Sequence, residues 1–166
     1  MIYLIDDKVN RQSDYSWSKE KLEKYSDVLF PIYTYSDIEK FNNRAEIFKE
    51  GNTIIFHESF FDKIDIVHKS NSLEIRKKLN EFSKNNEGFN LVVFSGSKNS
   101  RKLVKNNASI PVSIMYQNLK IFIEKIKNGD TNLEYLLFGE NIELEKELVE
   151  KFRTWNSHYY DKTVLS

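Results

Sequence analysis

A chain of 166 residues is long enough for one domain with a proper core and short for two. Its 25 basic side chains balance 25 acidic ones, which argues against a nucleic-acid binder held by bulk positive charge. The lack of cysteine excludes disulfides, thiolate catalysis and cysteine metal sites, and fits a reducing compartment.

The first apolar run, "IYLI" (2–5), stops at the adjacent carboxylates Asp6 and Asp7. It reads as a strand, not as the core of a signal peptide. No stretch approaches the ~20 apolar residues of a membrane span, so a folded cytoplasmic domain is expected. "SWSKEKLEKYS" (16–26) follows as a weak helix. "VLFPIY" (28–33) is a strand candidate whose Pro31 cannot donate to a ladder, which assigns it to a sheet edge. "SDIEKFNNRAEIFKEG" (36–51) opens with a capping box, Ser36 to Glu39. It carries Ile38, Phe41, Ala45 and Phe48 at helical spacing, and Gly51 is its stop.

The next strands are "TIIF" (53–56), "LVVF" (91–94) and "VSIM" (112–115). They are β-branched or aromatic without polar alternation, the pattern of strands buried on both faces. Between them, residues 71–86 place Ile75, Leu79 and Phe82 on one helical stripe, and "NLKIFIEKIKNG" (118–129) does the same with Leu119, Phe122, Ile123 and Ile126. The basic run "RKLVKNN" (101–107) reads as a solvated helix face. After Gly129, "LEYLLF" (133–138) is either a helical turn or an extra strand. Residues 141–156 form an amphipathic helix with Leu144, Leu148, Phe152 and Trp155 on one stripe. No Pro-, Gly- or Ser-rich linker sets this tail apart, so residues 129–166 are expected to pack as an extension on the domain formed by 1–128.

Strand–helix alternation of this kind builds an α/β fold, a doubly wound parallel sheet with helices on both faces. Ligands of such sheets meet the carboxyl ends of the strands. Those ends carry Asp6 and Asp7, His57 and Glu58, Ser95 and Gly96, and Tyr116 and Gln117.

"YLIDDKVN" resembles the opening of a response-regulator receiver domain, in which the first strand ends in an acidic pair that holds Mg²⁺, and "LVVFSGS" is similar to the family's fourth strand, with Ser95 and Gly96 in the places of its hydroxyl residue and small neighbour. The resemblance covers residues 1–128 and implies a flavodoxin-like, five-stranded sheet of order 2-1-3-4-5. It departs from the family at two charged positions. The phosphoryl acceptor of the third strand falls on His57, and the lysine after the fifth strand is Tyr116 or Gln117, with no proline following. The chain therefore resembles a degenerate, pseudo-receiver member whose pocket is Asp6, Asp7, His57, Ser95, Tyr116 and Gln117.

Each of these residues has a plainer role beside the functional one. Asp6 and Asp7 either keep a weak Mg²⁺ site, or Asp6 caps the following loop and Asp7 is solvated. His57 either accepts a phosphoryl group, ligates a metal, or stands as an imidazolium beside the acidic pair; the last is favoured. Glu58 is turned away from His57 by strand alternation. Ser95 either orients an oxyanion or ends its strand on nearby backbone. His68 and His158 have no partners at metal-ligand spacing and read as surface residues.

The function expected from the resemblance is a non-phosphorylatable signalling module that binds another protein. Its docking surface would include Tyr116, Lys120, Ile121 and Glu124, with the C-terminal helix serving either homodimerisation or core packing. The other class is a metal- or phospho-ligand sensor or enzyme built on Asp6, Asp7, His57 and Ser95. No complete catalytic constellation and no cofactor beyond Mg²⁺ is expected.

Overall fold

Strand β1 (Ile2–Ile5) lies inside the sheet, paired in parallel with β2 (Leu29–Ile32) on one side and β3 (Thr53–His57) on the other. The computed structural model describes residues 1–44, 46–61, 69–142, 144, 147, 148, 150 and 151. β3 continues to β4 (Asn90–Ser95) and β4 to β6 (Asn107–Pro111), all parallel. The short β5 (Lys102–Val104) joins antiparallel at the outer edge, giving six strands in the order β2-β1-β3-β4-β6-β5. The fold is thus α/β with a mostly parallel sheet. Pro31 stands opposite Leu4 on the edge strand, where its missing N–H leaves no ladder partner unmet.

Two expectations fail together at the far edge. "VSIM" is not the fifth strand but the first turn of helix α5 (Val112–Lys127). The apolar stripe of that helix, Val112, Met115, Tyr116, Leu119, Phe122 and Ile123, already begins at Val112 with a 3.6-residue period. Pro111, at φ −61°, has no N–H to offer the sheet and is preset for the start of a helix. The parallel strand lies one segment earlier, where buried Ala108 and Ile110 alternate with half-buried neighbours. "RKLVKNN" is correspondingly not a helix face. It forms β5 and the tight turn into β6, so five parallel strands become six mixed ones. The turn is held by Lys105 at φ 56° and by buried Asn106, whose amide reaches the carbonyls of Ser83 (2.7 Å) and Asn86 (3.0 Å).

The helices are also trimmed. The weak helix expected over 16–26 is trimmed to α2 (Lys19–Glu23), started by the Ser18 hydroxyl, which accepts from the Lys21 N–H. A short helix not expected from the sequence, α1 (Val9–Asp14), precedes it and ends before Ser16 at φ 67°. Helix α3 (Tyr35–Arg44) is capped by Thr34 with Asp37, two residues before the expected box, because the Asp37 N–H reaches the Thr34 hydroxyl and that hydroxyl reaches the Asp37 carboxylate. It ends well short of Gly51, and the chain from Glu46 to Gly51 is non-helical. The side chains of Phe41 and Ala45 lie outside the described ones. Helix α4 (Lys69–Asn85) buries Ile75 and Leu79 as its stripe requires.

Two apolar cores sandwich the sheet. α5 packs on one face with Trp17 and Leu22, and helix α6 (Glu134–Phe138) seats Leu136 and Leu137 beside it, which resolves "LEYLLF" as helix. α3 and α4 cover the other face through Ile38, Ile75 and Leu79. A 3₁₀ turn (Gly139–Asn141) follows α6, and residues 142, 144, 147, 148, 150 and 151 are helical, with Leu144 and Leu148 exposed. Phe152, Trp155, His68 and His158 lie outside the described residues. No helix among the described residues is long and apolar enough to cross a membrane.

Candidate functional site

The acidic pair divides in two. Asp6, the first residue past β1, is fully buried, while Asp7 points to the surface and stays partly exposed. Each oxygen of Asp6 has its own donor. Oδ1 takes the Arg11 guanidinium at 2.5 Å and the Lys8 N–H at 3.1 Å, and Oδ2 takes the Tyr116 hydroxyl at 2.7 Å. Arg11 also reaches Asp7 at 3.4 Å, so one guanidinium bridges both carboxylates. Local structure makes this possible: α1 starts two residues after the pair, and its first turn returns Arg11 over the end of β1.

Tyr116 comes from the opposite side, on the second turn of α5. Its ring stacks on Tyr15 (5.7 Å, 10° between planes) and meets the edge of Phe94 (5.7 Å, 78°), and its carbonyl accepts from Trp17 Nε1 at 2.8 Å. Burial, and then the charge of Asp6, push the Tyr116 phenol far above its ordinary pKa, so it remains a donor at all working pH. Burial also raises the Asp6 carboxyl, opposed by the bonds from Tyr116 and Lys8 and by the charge of Arg11. Gln12 lies beside this network, fully buried and near enough to stabilise the Tyr116 oxygen, yet neither its Nε2 nor its Oε1 completes a hydrogen bond.

The other expected members stand at the ends of β3 and β4. His57 Nδ1 accepts from the Ser59 N–H at 3.1 Å and lies 2.8 Å from the Ser59 hydroxyl, and its ring stands edge-on to Phe94. A backbone N–H can only donate, so Nδ1 serves as the acceptor of this contact. The cation that the described contacts place on the acidic pair is Arg11. Ser95 bonds Ser97, hydroxyl to hydroxyl at 2.8 Å and to the Ser97 N–H at 3.3 Å, which closes its strand locally. Glu58 does face away from His57, toward Ser97 (3.4 Å) and Lys98 (3.5 Å), and a hydrogen bond from Ser95 is the main reason its carboxyl is held below the usual range.

Tyr116 is buried and presents no docking surface, correcting its place on that face. Gln117 is exposed and stands apart from the Asp6 network. With Lys120, Ile121 and Glu124 it lines a groove of about 380 Å³ between α5 and the turn after α6. The described contacts at the strand ends group as a buried Asp6–Arg11–Tyr116 centre, a His57–Ser59 pair and a Glu58–Ser95–Ser97–Lys98 cluster, with Phe94 touching the rings of both His57 and Tyr116.

Among the described residues no three of His, Asp or Glu converge as metal ligands. Asp6 and Asp7 remain the residues through which a cation would be held, but their facing oxygens are engaged by Arg11. The residues that sequence reasoning missed are Arg11, Gln12, Tyr15 and Trp17. The one signal for Arg11 was its position one helical turn past an acidic pair. Comparison of the chain with protein-family models, with curated proteins and with solved structures returns no significant match.

Proposed function

We propose that the chain is a receiver-like domain that has lost phosphorylation and acts by binding another protein. The observation that carries this reading is the guanidinium of Arg11 across Asp6 and Asp7, with Tyr116 on the remaining Asp6 oxygen. In a phosphorylation switch, a bound cation and a phosphoryl group bias two conformations by contacts made in only one of them. Here a fixed side-chain cation and a fixed phenol occupy the contacts that such ligands would make, and the domain keeps one arrangement. The parallel run β2-β1-β3-β4-β6 with helices on both faces supports a flavodoxin-like ancestry. β5 is the departure, standing where a helix would be expected before the last parallel strand. The exposed face of α5, with Lys120, Ile121 and Glu124, is the docking surface under this reading.

The test is titration of Mg²⁺ and then a small phosphoryl donor into isotopically labelled protein, following the amides of Asp6, Asp7, His57 and Ser95. None should shift. Saturable shifts confined to this group would overturn the reading and put a metal- or phospho-ligand sensor in its place.

A further inference from the structure

On the sheet face opposite α5, a groove of about 280 Å³ runs between α4 and the β5 edge. Phe56, Leu91 and Val93 line it as an apolar bed, and Arg76, Lys102 and Val104 stand along its length. Among the described residues no acidic side chain lines it. Its volume falls just under the range of about 300–1,000 Å³ usual for small-molecule pockets. It suits a few side chains of a larger partner better than a whole ligand.

The exposed apolar side chains indicate which partner. Six large ones are markedly exposed among the described residues, and four belong to two patches. Val104 (70% exposed) lines the groove, and Leu73 (51%) lies one turn before Arg76 on α4. Leu144 (54%) and Leu148 (56%) lie one turn apart on the C-terminal helical residues. The signs of charge are opposite: Lys102 pairs with no carboxylate among the described residues and the groove lining is basic, whereas residues 140–151 hold five glutamates against two lysines. The two patches also meet the same sheet edge. Arg101, just before β5, donates to the Leu137 carbonyl at 3.0 Å and lies over the Phe138 ring, so the C-terminal helix leaves the core beside β5. It leaves on the α5 face, away from the chain's own groove.

We infer that the chain forms a two-fold dimer in which Leu144 and Leu148 of each copy seat in the Phe56–Val93–Val104 groove of the other. A two-fold axis beside β5 carries each helix across to the opposite face of its partner, and the reciprocal contact closes the assembly at two copies. The exposed apolar patches are covered in one step, with glutamates of the helix facing Lys102 of the partner. The dimer is independent of the acidic centre: a live Asp6 pocket would leave it standing, and a monomeric protein would leave the pocket reading untouched.

Sedimentation velocity over a wide concentration range tests this on the full chain, with circular dichroism to verify folding. The wild type should show a monomer–dimer equilibrium, and Lys102→Glu or Glu147→Lys alone should weaken it by about tenfold or more. An equimolar mixture of the two variants should recover the dimer, because each groove then faces a helix of opposite charge. Leu148→Ser, with Leu144→Ser as the replacement should it fold poorly, should leave monomer. A wild type that stays monomeric overturns the dimer. A dimer indifferent to Leu148→Ser, or a mixture that fails to recover, overturns this placement of the interface.

Discussion

The two faces of the sheet are finished differently. On one, α5 runs the length of the sheet and α6 packs beside it, so that Leu119, Phe122 and Ile123 are removed from water together with Trp17, Leu136 and Leu137. On the other, α3 and α4 cover the strands from β2 to β4, and the strip over β4, β6 and β5 carries a groove rimmed by exposed Val104. The difference traces to the eleven residues 96–106. Had they formed a helix, it would have lain on this strip. By forming β5 they widen the sheet by one strand and remove its cover. A single local choice between strand and helix therefore decides whether this region of the molecule is core or contact surface.

The covered face should be the more sensitive to truncation. Leu119→Ala removes a fully buried side chain between the sheet and α6 and should cost about 2–5 kcal/mol, read as a lower urea midpoint at unchanged slope. A loss under about 1 kcal/mol would mean that α6 is loosely seated and that the two faces are alike.

Tyr116 ties the covered face to the acidic centre. Tyr116→Phe keeps the ring contacts with Tyr15 and Phe94 but takes the donor from Asp6 Oδ2, at a cost of about 1–3 kcal/mol at neutral pH. The sign of its pH dependence follows from Asp6, whose folded pKa is raised above the usual 3.8 chiefly by burial. A raised carboxyl contributes stability that is complete below its unfolded pKa and lost as pH rises through the folded one. The Tyr116 bond limits that loss by favouring the carboxylate, and without it the folded pKa rises further. The gap between wild type and Tyr116→Phe should therefore narrow as pH is lowered through the Asp6 titration toward 3.8, in urea melts taken across that range. A gap that stays constant with pH would detach the phenol from the charge state of Asp6.

Much of the scaffold is legible in the sequence because it rests on runs that admit one packing. "IYLI", "TIIF" and "LVVF" are apolar on both faces, and Pro31 assigns an edge on chemistry alone. The far edge is misread for a physical reason. "SIPVSIM" is one largely apolar stretch in which period 2 gives way to period 3.6 at Pro111, and a short window at 112–115 cannot tell a buried strand from the start of a buried helix. Lys102–Val104 is only three residues long and is fixed by pairing and by the amide of Asn106 inside the end of α4, contacts that no local pattern encodes. At the acidic centre, the strand-end position of Asp6 is visible from the run before it. Its bond to Tyr116 spans 110 residues and depends on the rotation of α5, because Tyr116 belongs to a helix stripe and not to a strand end.

The smallest effect is expected on the open strip, and it separates cover from contact most sharply. Val104→Thr keeps the β-branched shape that suits an edge strand and changes a side chain already 70% exposed, so monomer stability at low concentration should move by no more than about 0.5 kcal/mol. A cost approaching that of Leu119→Ala would mean that Val104 is covered within its own chain, and the contrast between the faces would fall. Concentration supplies the second reading. A dimer that forms only from folded chains raises the melting temperature as protein is added. The wild type should show this rise and Val104→Thr should show less of it, because the substitution weakens the contact without weakening the fold. Parallel curves for the two proteins would place the groove outside the interface even if the chain dimerises.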